Sequence, residues 1–177
     1  GLGMALNRPS AFKLFTVAGV EIHIDYSWLV VFALFVTALS AGYFPSQYPG
    51  YTAANYFIVG FVATVLLFGS VLAHELCHAA MANRLGEEVH RITLFIFGGM
   101  AELTHEPKSA ADEFKIAIVG PLSSLALAAV FWLIAGGVSM SPATPLWESV
   151  FSYLAAINFT LALFNLLPGF PLDGGRL

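Results

Sequence analysis

Charge is what this sequence has least of. Asp, Glu, Lys and Arg make up only 10% of its 177 residues, against about a quarter in an ordinary soluble domain. Hydrophobic residues reach 58% and the mean hydropathy is +0.81. That shortage of charge excludes a typical soluble domain and points to an integral membrane protein. A basic cluster is also missing. Seven Lys and Arg are scattered along the chain and the net charge is −4, so no nucleic-acid partner is expected. The single cysteine, Cys77, excludes an intrachain disulfide and leaves the redox compartment open. The alternating pattern of a membrane barrel is lacking, because the sixteen Phe and six Tyr fall in long unbroken apolar runs that suit helices. No cleavable signal pattern precedes the first of these runs, which reads as a retained anchor. No internal repeat and no linker between domains is visible.

Four runs are long enough to cross a bilayer, which takes about 20 residues. They extend from about Tyr26 to Gly42, Asn55 to Asn83, Phe114 to Val138 and Leu146 to Leu167. Aromatic residues such as Trp28, Tyr43, Tyr56 and Trp147 lie near their ends, at the depth that amphipathic rings favour. Every Lys and Arg falls before the first run, between the second and third, or after the fourth. The other two connections carry no basic residue, which predicts that the N-terminus and the long middle loop are cytoplasmic.

Two short segments have strand character. Phe12–Val17 and Val20–Ile24 flank Ala18-Gly19 and predict a hairpin, with His23 a strand residue and not a ligand. Ile92 to Phe97 and Met100 to Leu103 flank Gly98-Gly99 and predict a second, re-entrant or interfacial hairpin turning at the two glycines. Non-helical backbone at membrane depth is tolerated only inside protein or beside water. The expected fold is therefore an all-α polytopic membrane protein of about four transmembrane helices, with short β-hairpins near the cytoplasmic side.

Within the second run lies His74-Glu75-Leu76-Cys77-His78, an H-E-x-x-H sequence. Residues four apart share a helix face, so both imidazoles can reach one ion. Zinc accepts imidazole nitrogen, and Glu75 lies beside the first histidine to take a proton from water. An acidic residue within a membrane helix costs about 2.5–3.5 kcal/mol on insertion scales, which favours a functional role over chance. A catalytic zinc site requires a third protein ligand and an open position. The candidates are His90, Glu102, His105 and Glu106 in the middle loop, and Asp173 after the fourth run. Topology favours Asp173, because the second and fourth runs both end on the cytoplasmic side and Pro168-Gly169-Phe170-Pro171 breaks the helix before it. The alternative is that Asp173-Gly174 opens an ordinary turn. Cys77 reads as packing.

These pieces together resemble the site-2 protease family of intramembrane zinc metalloproteases. HELCH lies in the second run, FGGMAEL follows it, FKIAIVGPLSSL opens the third, and NLLPGFPLDGGRL follows the fourth. They come in the family's order and cover the chain from about Phe12 to its end. The resemblance implies one Zn2+ held by His74, His78 and Asp173, with Glu75 as general base. It implies that Asn165, Pro168 and Pro171 help place substrate, and that the hairpin around Phe97, Gly98 and Gly99 pairs with an unwound substrate. Gly120-Pro121 also matches the family, and is read as a helix kink.

Expected partners are a transmembrane protein or peptide substrate, the lipid bilayer and a second copy in a homodimer. The expected location is a prokaryotic plasma membrane, with the active-site side cytoplasmic. FKLFTVAGVEIHIDYSW is similar to a subgroup whose cystathionine-β-synthase-type domain binds adenine nucleotide, and that domain is not in this sequence. Family members usually continue further, so the chain is expected to be one membrane-embedded metalloprotease core cut short at its C-terminus. Competing readings are a catalytically inactive homologue and a metal-binding membrane transporter. The first is disfavoured because His74, Glu75, His78 and Asp173 are all present, and the second because polar residues do not recur along several helices.

Overall fold

A computed structural model of the chain describes residues 11–95, 98–103, 109–139 and 145–166. The apolar runs form helices close to their expected bounds. The first run is an unbroken helical rod over Tyr26–Gln47, made of α1 (Tyr26–Ala38), a π-helical turn (Leu39–Tyr43) and α2 (Phe44–Gln47). It is followed by α3 (Ala53–Arg84), α4 (Ala110–Ser139) and α5 (Pro145–Leu166). All four spans are long and apolar enough to cross a membrane. Large residues such as Leu34, Phe57, Trp132 and Leu133 are exposed on their outer faces, as lipid contact requires.

The strands are β1 (Ala11–Val17), β2 (Val20–Asp25), β3 (Val89–Phe95) and β4 (Gly98–Leu103). They differ from the expectation in two respects. First, the two hairpins are not separate: they join into one four-stranded sheet of order β1-β2-β3-β4. β2 and β3 pair in parallel, with Ile22 opposite Ile92, and the outer pairs are antiparallel. A parallel pair needs a long crossover, and α1 to α3 supply it. Second, Gly98 and Gly99 do not form the turn. They pair with Phe95 and Leu94 inside the β3–β4 ladder, so the connection falls on residues 96–97, which lie outside the described residues. Two adjacent glycines permit a turn but do not require one. The apolar register of β3 sets the pairing instead.

The first hairpin turns where expected, with positive φ at both Ala18 and Gly19. On β2, Val20, Ile22 and Ile24 alternate inward, and Val20 and Ile22 meet Ile92 and Leu94 of β3 and Ala79 and Ala82 of α3 in one apolar cluster. The opposite face carries Glu21, whose carboxylate is 3.2 Å from Lys13 and 3.8 Å from Arg91. The hydrogen bond from Lys13 holds the Glu21 carboxyl below its ordinary pKa.

The sheet is tied to the end of α3 by its cap. The N–H of Glu87 donates to Ala82 O at 2.8 Å and that of Gly86 to Asn83 O at 3.2 Å, with Gly86 at φ +87°. This is the Schellman arrangement, in which a left-handed residue closes the last turn. Asn83 then grips the start of β3: its side chain accepts from Val89 N at 2.6 Å and donates to Val89 O at 3.2 Å.

A second apolar cluster fills the far half of the bundle, built from Leu39, Phe44, Val59, Leu67, Val150 and Leu154 among others. It depends on close approach between α3 and the π-helical turn. A Cβ on Gly60 would overlap the Ser40 side chain and come within 3.0 Å of the Ser40 backbone nitrogen. Gly69, on the same helix, has nothing within 4 Å of its would-be Cβ. Gly60→Ala is therefore expected to destabilise the folded bundle by about 1–3 kcal/mol through overpacking. Gly69→Ala should leave it unchanged or slightly more stable. Thermal unfolding of the two variants in detergent checks this, and equal midpoints would contradict the close crossing.

Candidate metal centre

Between the two apolar clusters lies a layer of buried polar side chains. Ser70 and His74 come from α3, Ser124 from α4, and Asn158 and Asn165 from α5, and all five are buried. Each pair on one helix follows its repeat: Ser70 and His74 are four apart, Asn158 and Asn165 seven apart, so each pair shares a face. Asn158 donates to Ser70 Oγ at 3.2 Å and to Leu154 O at 2.9 Å, and its own buried side-chain oxygen has no partner among the described residues.

The H-E-x-x-H helix presents both imidazoles to α4. His74 and His78 meet edge to face with ring centroids 4.8 Å apart, and their Nε2 atoms are 3.1 Å apart. Each Nδ1 is engaged by α4: that of His78 lies 2.5 Å from Ile116 O, and that of His74 lies 3.0 Å from Ser124 Oγ. Between these two partners comes Gly120. A Cβ there would strike His78 Nε2 and come within 2.7 Å of His74 Nε2. Residues 116, 120 and 124 follow at intervals of four, so a single stripe of α4 meets both histidines.

This arrangement fits a metal ion. Two nitrogens about 2.0–2.1 Å from a tetrahedral zinc stand about 3.3 Å apart, close to the 3.1 Å between the two Nε2 atoms. Occupied Nδ1 atoms leave Nε2 as the coordinating nitrogen of each ring. Glu75 is partly exposed beside them on α3. Among the described residues, no third His, Cys, Asp or Glu joins the pair.

The other expected site residues divide clearly. Asn165 is buried in the last turn of α5, and Gly98 and Gly99 open β4. Phe97, Pro168, Pro171 and Asp173 lie outside the described residues, as do the alternative ligands His105 and Glu106. His90 is exposed on β3 and 3.2 Å from Glu88, away from the layer, and His23 is a β2 residue as expected. Cys77 is a free thiol, half-buried. Ile116 and Ser124 were not expected as partners of the histidines. The backbone carbonyl of Ile116 leaves no trace in sequence, whereas Ser124, four residues after Gly120 in an apolar run, does leave one.

Comparison with known proteins gives the family. The model of peptidase family M50 matches residues 62–146 and 135–177. The putative zinc metalloprotease Rip3 of Mycobacterium tuberculosis is 42% identical over 94% of this chain, and a putative zinc metalloprotease of Synechocystis is 38% identical over 90%. The chain spans about two fifths of the length of these relatives, 42% and 41%. A solved site-2 protease from Methanocaldococcus jannaschii superimposes with a TM-score of 0.61 at 29% identity, covering 94% of this chain and 68% of that one. With the family model matched over more than half of its residues, HELCH included, this chain belongs to peptidase family M50 and is an integral membrane protein of the site-2 protease type.

Proposed function

We propose that this chain is the core of an intramembrane zinc metalloprotease, which hydrolyses peptide bonds within or near transmembrane segments of membrane-protein substrates. The observation that carries the reading is the pair of imidazole nitrogens 3.1 Å apart in the bundle interior, with both Nδ1 atoms held by α4. His74, His78 and Asp173 would hold one zinc ion. Bound zinc would supply acidified water near neutral pH and polarise the scissile carbonyl.

The chain's own residues do the rest. Glu75, next in sequence to His74, takes the proton from the attacking water and returns it to the leaving amine. Asn165, buried at the end of α5, offers amide hydrogen bonds to a substrate carbonyl, and Pro168 and Pro171 help to place substrate. A transmembrane substrate hides its carbonyls in helical hydrogen bonds and must unwind before attack. The β3–β4 hairpin, with Phe97, Gly98 and Gly99 as the substrate-pairing residues, offers strand addition to the unwound peptide. The buried hydroxyls and amides between the two apolar clusters give water a place within an otherwise dry bundle.

The whole chain reads as one membrane-embedded core. Its basic residues favour a cytoplasmic N-terminus and a cytoplasmic active-site side. Bacterial and archaeal relatives favour a prokaryotic plasma membrane.

Three outcomes follow for the full-length protein in detergent. Zinc content should be near one per chain and fall sharply in Asp173→Ala, measured by elemental analysis. Unchanged zinc in that variant would remove Asp173 from the ligand set. Glu75→Gln should keep its zinc and lose about 10²–10⁴-fold in cleavage of a transmembrane peptide. Full activity in that variant would overturn the assignment of the base. Gly120→Ala should lose zinc while remaining folded, because the added methyl occupies the space beside both Nε2 atoms. Normal zinc content would show that α4 can retreat.

A further inference from the structure

We propose that Ser124 is a positioning residue for His74, and that its hydroxyl allows this imidazole to adopt the tautomer that zinc binding requires. The inference rests on the zinc reading above.

A neutral imidazole carries one proton on its two nitrogens, and the nitrogen that binds a metal must be bare. The two histidines meet this demand differently. Nδ1 of His78 faces the backbone carbonyl of Ile116, and a carbonyl can only accept. The proton of His78 is therefore fixed on Nδ1, and its Nε2 is bare whether metal is present or not. Nδ1 of His74 faces Ser124 Oγ at 3.0 Å. A hydroxyl can either accept or donate.

The difference matters when metal enters. In the metal-free pair, the bare Nε2 of His78 accepts from Nε2–H of His74 across 3.1 Å. Nδ1 of His74 is then bare and accepts the hydroxyl proton of Ser124. With metal bound, both Nε2 atoms must be bare, so the proton of His74 has to lie on Nδ1. There it is donated to Ser124 Oγ. As the site opens to admit the ion, the ring loses its Nε2 proton to solvent and takes one from solvent at Nδ1, so it releases none overall. Ser124 follows by turning its O–H about the Cβ–Oγ bond, and no heavy atom moves.

No other group in the described layer is placed to do this. Ser124 is 1% exposed, so bulk water does not reach the same position. Its neighbour Ser123 donates instead to Gly120 O at 2.7 Å within its own helix. Without the Ser124 hydroxyl, the metal-binding tautomer of His74 would bury an Nδ1–H that has lost its acceptor. Metal binding would carry that cost, while the metal-free tautomer would lose only a donor to a ring nitrogen.

The test compares Ser124→Thr with Ser124→Val in the full-length protein. The two side chains have the same shape and differ in the hydroxyl. Zinc affinity is measured by competition with a chromophoric chelator, and the ligand field by the visible absorption of the cobalt-substituted protein. Thr should bind zinc within about threefold of the parent. Val should bind about 10–100-fold more weakly, the range usual for loss of a partner to a ligating histidine, with shifted cobalt bands. Ser123→Ala should change neither. Equal zinc affinity and equal cobalt spectra for Thr and Val would overturn the role of Ser124 while leaving the metal centre intact. A parent protein that takes up neither zinc nor cobalt would bring down the metal reading itself, and this inference with it. Thermal midpoints of the two variants separate a packing defect from a positioning one. A Val variant as stable as the Thr variant but weaker for zinc has lost the hydroxyl's hydrogen bond and nothing else.

Discussion

The constraint on which the bundle depends is that two imidazoles lie inside an apolar helix layer, where every ring nitrogen needs a partner. A buried polar group without one costs about 1–3 kcal/mol, and His74 and His78 bring four such atoms between them. Among the described residues, the chain meets this demand from one neighbouring helix and from the pair itself. α4 gives Ile116 O to one ring and Ser124 Oγ to the other, and the two remaining nitrogens face each other. The position of α4 against α3 is fixed as much by these polar contacts as by apolar packing. A rotation of one helix by a quarter turn would leave two nitrogens in hydrocarbon. The geometry of the site and the packing of the bundle are therefore one requirement.

The rest of the fold holds this layer at a defined depth. On one side, Leu67, Val150 and Leu154 belong to a dry apolar cluster. On the other, Ala79 and Ala82, the turn that follows His78, lie against the inward faces of β2 and β3. The Schellman cap at Gly86 and the grip of Asn83 on Val89 make the end of α3 and the start of β3 one unit. Strand and histidine-bearing helix are thus coupled within about one turn of His78. A peptide added to this sheet would be held in register with the histidines, which is what attack on one particular bond requires.

Much of this could be read from the sequence, because membrane helices and ligand spacing both leave strong local patterns. The four spans were legible from uninterrupted hydrophobic runs, and the H-E-x-x-H pair from its spacing of four. What could not be read is long-range. The parallel pairing of Ile22 with Ile92 joins segments seventy residues apart, and neither hairpin carries a local sign that it will meet the other. Gly98-Gly99 misled for a related reason: local turn chemistry favoured a turn, but the ladder with Leu94 and Phe95 prevailed. The partners of the histidines were hidden in two ways. The Ile116 contact is made by backbone, which every residue has. Ser124 looked like one of two ordinary hydroxyls in an apolar helix until the structure separated it from Ser123.

Gly120 links the packing of the bundle to the geometry of the histidine pair. For Ile116 O and Ser124 Oγ both to reach imidazole nitrogens four residues apart, α4 must approach α3 closely along the stretch between them. Any side chain at position 120 would push the helices apart, since even a Cβ would reach both Nε2 atoms. The missing side chain has a second effect. It keeps a methyl carbon from striking His78 Nε2 and from coming within 2.7 Å of His74 Nε2. One residue thus brings the histidines within reach of their orienting partners and keeps a side chain of α4 off both Nε2 atoms. Pro121, fully buried next to it, has no N–H to give the Ala117 carbonyl, so α4 is locally released from its own ladder at the point of closest approach. A helix that is weakened there can settle against the imidazoles, which a rigid one with a side chain at position 120 could not do.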